Sequence, residues 1–324
     1  MRLGVREAFV GGRIVPGDVQ LVDGEIIAVG LDPGAGGLAV PGYVDLQVNG
    51  YAGVDLLTAG EPERAELDDA LAQAGTTAWR PTLITAPEQE LIRALGGAWP
   101  ARCLGVHLEG PFLSPERGGA HPPEHLRAPD VDELRRLLDA GPVTQVTLAP
   151  ELPGADRLLD ELTTRGVLVS AGHTAATELS FGGIRTVTHL HNAMSPEVAA
   201  AALADPRVTI QLIADGLHVP PDKVLQAFEQ APGRVALVSD CVGPSLGGRP
   251  VEAAGGEVKG EYGRLAGSRL TMAEAVRNAH AFGVPLETAL QAATTVPARL
   301  AGTTPNGVLV LDDRLEVQRV LLSP

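Results

Sequence analysis

Eight short apolar runs recur along the chain, and almost every one ends near a residue able to hold a metal, move a proton or grip a ligand. The runs are Val44–Val48, Thr77–Leu83, Cys103–Leu108, Val143–Leu148, Val167–Ser170, Thr186–Leu190, Val208–Ala214 and Val235–Ser239. At or just past their C-terminal ends stand Gln47 with Asn49, Glu109, Glu151, His173, His189 with Asn192, Asp215 with His218, and Asp240. Short apolar runs bounded by turn residues read as strands buried on both faces. Amphipathic helix patterns separate them: Glu61–Ala74, Pro87–Leu95, Asp130–Leu138, Asp156–Arg165, Pro196–Ala204 and Pro221–Glu229, with Thr271–Phe282 and Pro285–Leu300 following. Strand–helix alternation implies a parallel sheet. Eight such strands predict an α/β fold, a (β/α)8 TIM-like barrel, which gathers its strand C-termini into one catalytic mouth.

The two ends of the chain follow a different pattern. Glu7–Val10, Arg13–Val15, Val19–Val22 and Glu25–Val29 read as short strands joined by Gly turns, one of them Asp23-Gly24. The segment DPGAGG, Asp32–Gly37, reads as a loop. Gly307–Leu311 and Glu316–Leu322 flank an Asp312-Asp313 turn. Neither end is long enough to build its own core. Residues 1–41 and 303–324 are therefore expected to pair into a small β-sandwich beside a barrel of residues 42–302.

Composition narrows the function. A chain of 324 residues, 44% hydrophobic and 20% charged, can bury a large core and is not a disordered sequence. Its formal net charge of −15 argues against nucleic acid as a partner but allows a small anionic substrate at a local positive spot. Cys103 and Cys241 lie in or beside expected strands and read as reduced, buried thiols, not a disulfide framework. The N-terminal stretch has no apolar core or cleavage site of a signal peptide, and no run is long enough to span a membrane. A cytoplasmic enzyme with no membrane partner is the expectation.

Chemistry concentrates at the strand ends. Glu109 directly follows an apolar run and precedes Gly110-Pro111; His173 follows the fifth run and His189 closes the sixth. Singly, each histidine reads as a structural group rather than a ligand. Jointly, two imidazoles and a carboxylate form a plausible catalytic metal set with positions left open for water and substrate. His191, two residues past His189, leaves a His-x-His chelate open as an alternative. Asp240 can serve as general base toward water and then protonate a leaving amine, or act merely as a turn or cap residue. His218 can polarise a substrate carbonyl, and His121 sits in the Gly-rich stretch Gly118-Gly119-Ala120-His121.

The segments PGYVDLQVNG (41–50), HLEGPFLSPERGGAHPP (107–123), APE (149–151), SAGHT (170–174), THLHNAM (188–194), ADGLHV (214–219), LVSDCVG (237–243), LAGSRLTMAEAVRNA (265–279) and ATTVPARLAG (293–302) together resemble the N-acetylglucosamine-6-phosphate deacetylases, a branch of the metal-dependent amidohydrolases. The resemblance covers most of the barrel in the family's order. It implies that Glu109, His173 and His189 bind one divalent metal ion, zinc first, with iron, cobalt or manganese also suited to a nitrogen–oxygen ligand set. It implies that Asp240 is general base and then acid, and that His218, beside Asp215, polarises the acetyl carbonyl. Ala120 and His121 would contact the sugar, Asn192 and Ala193 would meet the substrate near its phosphate, and Leu265, Ala266 and Gly267 would line the site. Gln47 and Asn49 stand where many amidohydrolases carry the His-x-His of a second metal site, which implies a single tightly bound ion. A homodimer is implied as well.

One departure stands out. After Asn-Ala-Met the family usually carries Gly-Arg-Glu-Pro-Gly, whose arginine reaches a neighbouring subunit's site and binds the sugar phosphate. This chain reads Ser195-Pro196-Glu197-Val198-Ala199-Ala200, without arginine. Losing a bidentate guanidinium removes a strong charge-assisted contact, and Arg117 is a candidate replacement. The usual Ala-Asp-Leu segment near the C-terminus is also absent. The expected activity is hydrolysis of N-acetyl-D-glucosamine 6-phosphate. The alternatives are another N-acetylated sugar or sugar phosphate, an N-acyl amino acid, a metal-free binding protein, or an iron oxygenase built on two histidines and a carboxylate.

Overall fold

The computed structural model describes residues 1–322 other than Tyr262, and of Glu25 the backbone alone; the last two residues of the expected 303–324 segment lie outside the described residues. Eight parallel strands form one sheet: Tyr43–Val48, Thr76–Ile84, Val106–Glu109, Val143–Leu148, Leu168–Ala171, Thr186–Val187, Thr209–Leu212 and Val235–Leu237, paired in chain order. The first and last do not form a ladder. The ring is closed just beyond them by a parallel bridge between Val48 and Cys241 and by hydrogen bonds from Asn49 N to Cys241 O and Asp240 N to Gln47 O, both 2.9 Å. This is the expected (β/α)8 barrel.

Strand residues are buried almost throughout, because helices cover the outside and side chains fill the inside. Local chemistry sets several helix starts. Asp130 accepts from the backbone of Asp132 and Glu133, Ser195 accepts from Val198 with Pro196 in the first turn, and Thr271 and Glu274 form a capping box. The single helix expected over Pro285–Leu300 is two, Leu286–Ala293 and Thr295–Ala301. Pro297 supplies the reason: it has no N–H to offer the carbonyl four residues back, and its ring crowds that carbonyl.

Strands from both chain ends meet beside the barrel. A five-stranded sheet runs Arg13–Pro16, Glu7–Val10, Leu38–Pro41, Val308–Leu311, Val317–Leu321, and a second sheet pairs Asp18–Val22 with Glu25–Leu31. Val5, Ala8, Val19, Leu21, Ala39, Val308 and Val310 fill one apolar core shared by the two sheets. The strand Leu38–Pro41 was not expected from sequence. It pairs parallel with Glu7–Val10 and antiparallel with Val308–Leu311, and so joins the two ends.

Two further differences bear on the mouth. The sixth strand stops at Val187, well short of Leu190, because His189 adopts a left-handed backbone, φ 33°. Between the last barrel strand and the helix Met272–Ala281, an insertion forms two small hairpins, Ser245–Leu246 with Arg249–Pro250 and Glu252–Ala254 with Glu257–Lys259. Its Leu246 and Val258 pack with Ile84, Val242 and Ala266, pinning the insertion over the rim. No helix among the described residues is long and apolar enough to cross a membrane.

Candidate active site

Strand direction places the first three functional side chains. Glu109 ends the third strand; His173 and His189 follow the fifth and sixth on left-handed backbone, φ 48° and 33°. His191, Ala193 and Asp240, all on segments past strand ends, share that conformation. Such backbone costs energy and persists where its surroundings impose it, and here it turns side chains across the barrel axis.

Glu109 Oε1, His173 Nε2 and His189 Nε2 form a small triangle. Its edges are 2.9 Å from His189 to Glu109, 3.3 Å from His173 to Glu109, and 3.1 Å between the two imidazoles. Ligand atoms bound at about 2.0–2.2 Å to one tetrahedral ion lie roughly 3.3 Å apart, so this donor set fits a divalent cation and leaves further positions open. All three residues are buried. His173 Nδ1 donates to the Arg117 carbonyl at 2.9 Å, which leaves the Nε2 lone pair facing its partners. Burial works to raise the Glu109 carboxyl, but the imidazoles of His121, His173 and His189 set around it override burial and hold the group well below the usual carboxylate range.

Around the triangle each carboxylate has a fixed donor. Gln47 Nε2 donates to Glu109 Oε1 at 3.3 Å, and Asn49 Nδ2 donates to Asp240 Oδ1 at 2.7 Å. The two amides in place of a His-x-His pair are thus engaged with acids. Burial first, then the charge of Glu109, push Asp240 up to about 6 against the pull of His189, His218 and the Asn49 hydrogen bond. His121 Nδ1 accepts from the Thr85 backbone at 3.3 Å, so its proton sits on Nε2, 3.7 Å from Glu109 Oε2; burial and neighbouring His173 bring it down to about 4. Asp215 accepts from the backbone of Leu217 and His218 and binds His218 Nδ1 at 2.6 Å. Burial opposes its ionisation, but the His218 contact and these N–H groups prevail and keep its pKa low.

One cavity of about 410 Å³ joins these groups. Asn49, Glu109, Ala120, His121, His173, His189, Asn192, Ala193, His218, Asp240, Leu265 and Gly267 all line it. Gln47, Asp215 and Ala266, also expected at the site, do not. Gln47 supports Glu109 from within the barrel, Asp215 backs His218, and Ala266 packs beneath the insertion. Glu151 is outside the site: it is exposed and binds Thr174 Oγ1 at 2.5 Å and Ala175 N at 2.7 Å, bracing the loop past His173. The His-x-His chelate does not form, since His191 Nε2 is buried without a hydrogen-bond partner and only His189 reaches the triangle.

Sequence reasoning passed over His107, two residues before Glu109 and hence on the same strand face. Its ring bonds Thr82 Oγ1 at 3.2 Å and Thr147 Oγ1 at 2.6 Å, and the chain continues through Thr188 to Ser170. Burial drives its pKa down to about 3, so a neutral polar layer lies below the triangle. The i, i+2 spacing of His107 and Glu109 was the available signal. Arg264, Glu116, Leu246 and Ile84 also line the cavity without having been foreseen.

The amidohydrolase family model matches residues 38–309. This chain belongs to the amidohydrolase family. That metal-dependent family supplies the context for the donor triangle, without fixing the ion. Similar proteins include the N-acetylgalactosamine-6-phosphate deacetylase of Escherichia coli O157:H7, 34% identical over 87% of this chain and 86% of its own length. The N-acetylglucosamine-6-phosphate deacetylase of Homo sapiens is 33% identical over 97% of this chain and 89% of its own. Among solved amidohydrolases, an Asp-to-Ala variant of N-acetyl-D-glucosamine-6-phosphate deacetylase from Mycobacterium smegmatis, in complex with N-acetyl-D-glucosamine 6-phosphate, superposes with a TM-score of 0.93. It is 31% identical and covers 100% of this chain and 98% of that one.

Proposed function

We propose that this amidohydrolase is a deacetylase that cleaves the acetamide of N-acetyl-D-glucosamine 6-phosphate, releasing acetate and D-glucosamine 6-phosphate. The observation that carries the reading is the convergence of Glu109, His173 and His189, with ligand atoms all within 4.8 Å, on a cavity that Asp240 and His218 also line. The relative from Escherichia coli O157:H7, named for the galactosamine isomer, favours N-acetylgalactosamine 6-phosphate as the second substrate to test.

Glu109, His173 and His189 would hold one divalent cation, zinc by preference, which would supply Lewis-acid activation of water and of the acetyl oxygen. Asp240, as carboxylate, accepts a proton from the attacking water as its oxygen adds to the acetyl carbon. His218, held through Nδ1 by the Asp215 carboxylate, faces the acetyl oxygen with Nε2 and polarises it as negative charge builds there. Asp240 then passes its proton to the amide nitrogen as the C–N bond breaks. Gln47 and Asn49 keep Glu109 and Asp240 in place and are not ligands of a second ion. Ala120, His121, Asn192, Ala193, Leu265 and Gly267 bound the sugar, with Ala266 behind them. We assign the enzyme to the cytoplasm as a homodimer, with residues 1–41 and 303–324 forming a unit apart from the barrel of 42–302.

Acetate release from N-acetyl-D-glucosamine 6-phosphate, measured with the metal content of the purified protein, tests the reading. Chelation should abolish release and zinc should restore it. Asp240→Asn should keep the metal and lose about 10²- to 10⁴-fold in kcat. A variant with near-normal kcat excludes Asp240 as the base, and a metal-free active protein excludes the whole scheme.

A further inference from the structure

The cavity wall carries the carboxylates Glu109, Glu116 and Asp240, and its only Lys or Arg side chains among the described residues are Arg117 and Arg264. Both guanidiniums are exposed, and neither has a carboxylate partner among the described residues. Their neighbour Arg249 behaves differently: it is tied to Glu124 and Glu261 and so staples the hairpin insertion to the loop past the third strand. Among the described residues the Arg264 side chain makes a single hydrogen bond, from Nη1 to the Gly119 carbonyl at 3.2 Å, which leaves most of its five N–H donors without a partner there.

The two arginines line the same cavity. The Arg117 carbonyl receives the His173 Nδ1 proton at 2.9 Å. Gly119, which holds Arg264, is left-handed at φ 60°, and a methyl group on it would lie 3.2 Å from His173 Cε1. Arg117 itself and Gly119, whose carbonyl Arg264 grips, therefore belong to one loop segment packed beside His173. In a chain with a net charge of −15, two unpaired guanidiniums at the mouth of an acid-lined cavity form a local positive spot. Planar forks of this kind match a phosphate monoester dianion, and contacts to charged groups are the strong ones.

We infer that Arg264, with Arg117, forms the subsite for the substrate's phosphate, so that the anion is bound by side chains of this chain alone. The inference rests on the deacetylase reading and names which residues set its preference for a phosphorylated sugar. The insertion that carries Arg264 then acts as the specificity element of the mouth, and the missing arginine after Met194 is replaced from the opposite side of the sequence.

The test compares kcat/KM on N-acetylglucosamine 6-phosphate and on unphosphorylated N-acetylglucosamine for the wild type, Arg117→Ala, Arg264→Ala, the double variant and Arg264→Lys. Losing one charged contact should lower the phosphorylated-over-free preference by roughly 10- to 100-fold. The loss should appear in KM more than in kcat, because binding to a remote group is uniform along the reaction. Arg264→Lys should recover part of it. An unchanged preference in the double variant overturns the inference, as does an equal loss on both sugars or a wild type that does not prefer the phosphorylated one. Calorimetric titration of glucosamine 6-phosphate against glucosamine gives a readout independent of turnover. The double variant should bind the phosphorylated amine at least about tenfold more weakly, and equal binding refutes the subsite. A wild type that releases acetate from neither sugar defeats the deacetylase reading, while the titration still decides the arginines. Melting temperatures of the variants confirm that these exposed substitutions leave the fold intact.

Discussion

At the scale of single residues, the informative pair is Asn49 and Asp240. An amide donating at 2.7 Å to a buried carboxylate favours its charged form, and the pKa of about 6 already includes that help. Catalysis needs the carboxylate, so kcat/KM should fall as pH drops through this group's pKa. A cation bound by Glu109, His173 and His189 adds positive charge nearby and places that acid limb at or below about 6. Asn49→Ala removes the donor and raises the pKa. The limb should therefore move to higher pH, by about one unit, since a hydrogen bond to a charged group contributes on the order of 1.5 kcal/mol. Activity at pH 8 should change far less than activity at pH 6. A pH profile with an unmoved acid limb would show that Asn49 does not tune the base.

At the scale of elements, turn chemistry offers a prediction in the hairpin that follows the first barrel strand. Gly50–Tyr51 and Val54–Asp55 pair antiparallel across the two-residue loop Ala52-Gly53, whose φ angles are 49° and 92°. Hairpin loops with both residues left-handed favour Asn-Gly, and an alanine there is strained. Ala52→Asn should stabilise the protein by about 0.5–1 kcal/mol and raise Tm by roughly 1–2 °C; a lowered Tm would contradict the turn assignment. The same contrast between local and distant determinants explains what could be read from the sequence. The barrel strands were legible because both faces are buried, which leaves a continuous apolar run in each. Glu109, His173, His189 and Asp240 were legible as strand-end residues. The hairpins between Ser245 and Lys259 were not, because strands of two or three residues are too short to carry a periodicity. Nor could the run of residues tell that Gln47 and Asn49 would face Glu109 and Asp240. Their partners are fixed by closure of the ring at Val48 and Cys241, almost two hundred residues apart in the chain. Arg264 stayed hidden for the same reason, since its reach to Gly119 depends on how the insertion folds over the rim.

At the scale of the whole molecule, the barrel and the sheets of the chain ends are joined where there is no room for a side chain. Gly42 lies between the end-sheet strand Leu38–Pro41 and the first barrel strand Tyr43–Val48, and its N–H donates to the Gly307 carbonyl at 3.1 Å. A methyl group on Gly42 would sit 1.9 Å from Thr77 Oγ1 and 2.3 Å from the Asn306 backbone oxygen. The entering chain, the second barrel strand and the returning C-terminal segment thus meet at this residue. The threonine can rotate, but the Asn306 carbonyl can yield only if the returning backbone moves, and that backbone leads directly into Val308–Leu311. Gly42→Ala should therefore cost at least about 1–3 kcal/mol, the usual range for overpacking, and lower Tm by several degrees. Gly42 precedes the N-terminal end of its strand, whereas Glu109, His173, His189 and Asp240 all sit at C-terminal ends. In a (β/α)8 barrel that separation assigns stability to one face and chemistry to the other. Well below its melting transition, the variant should keep the wild-type kcat/KM while unfolding earlier and exchanging amide hydrogens faster in Val308–Leu311. A variant that melts with the wild type would mean that the junction has slack, and that the chain ends are not held to the barrel through this contact.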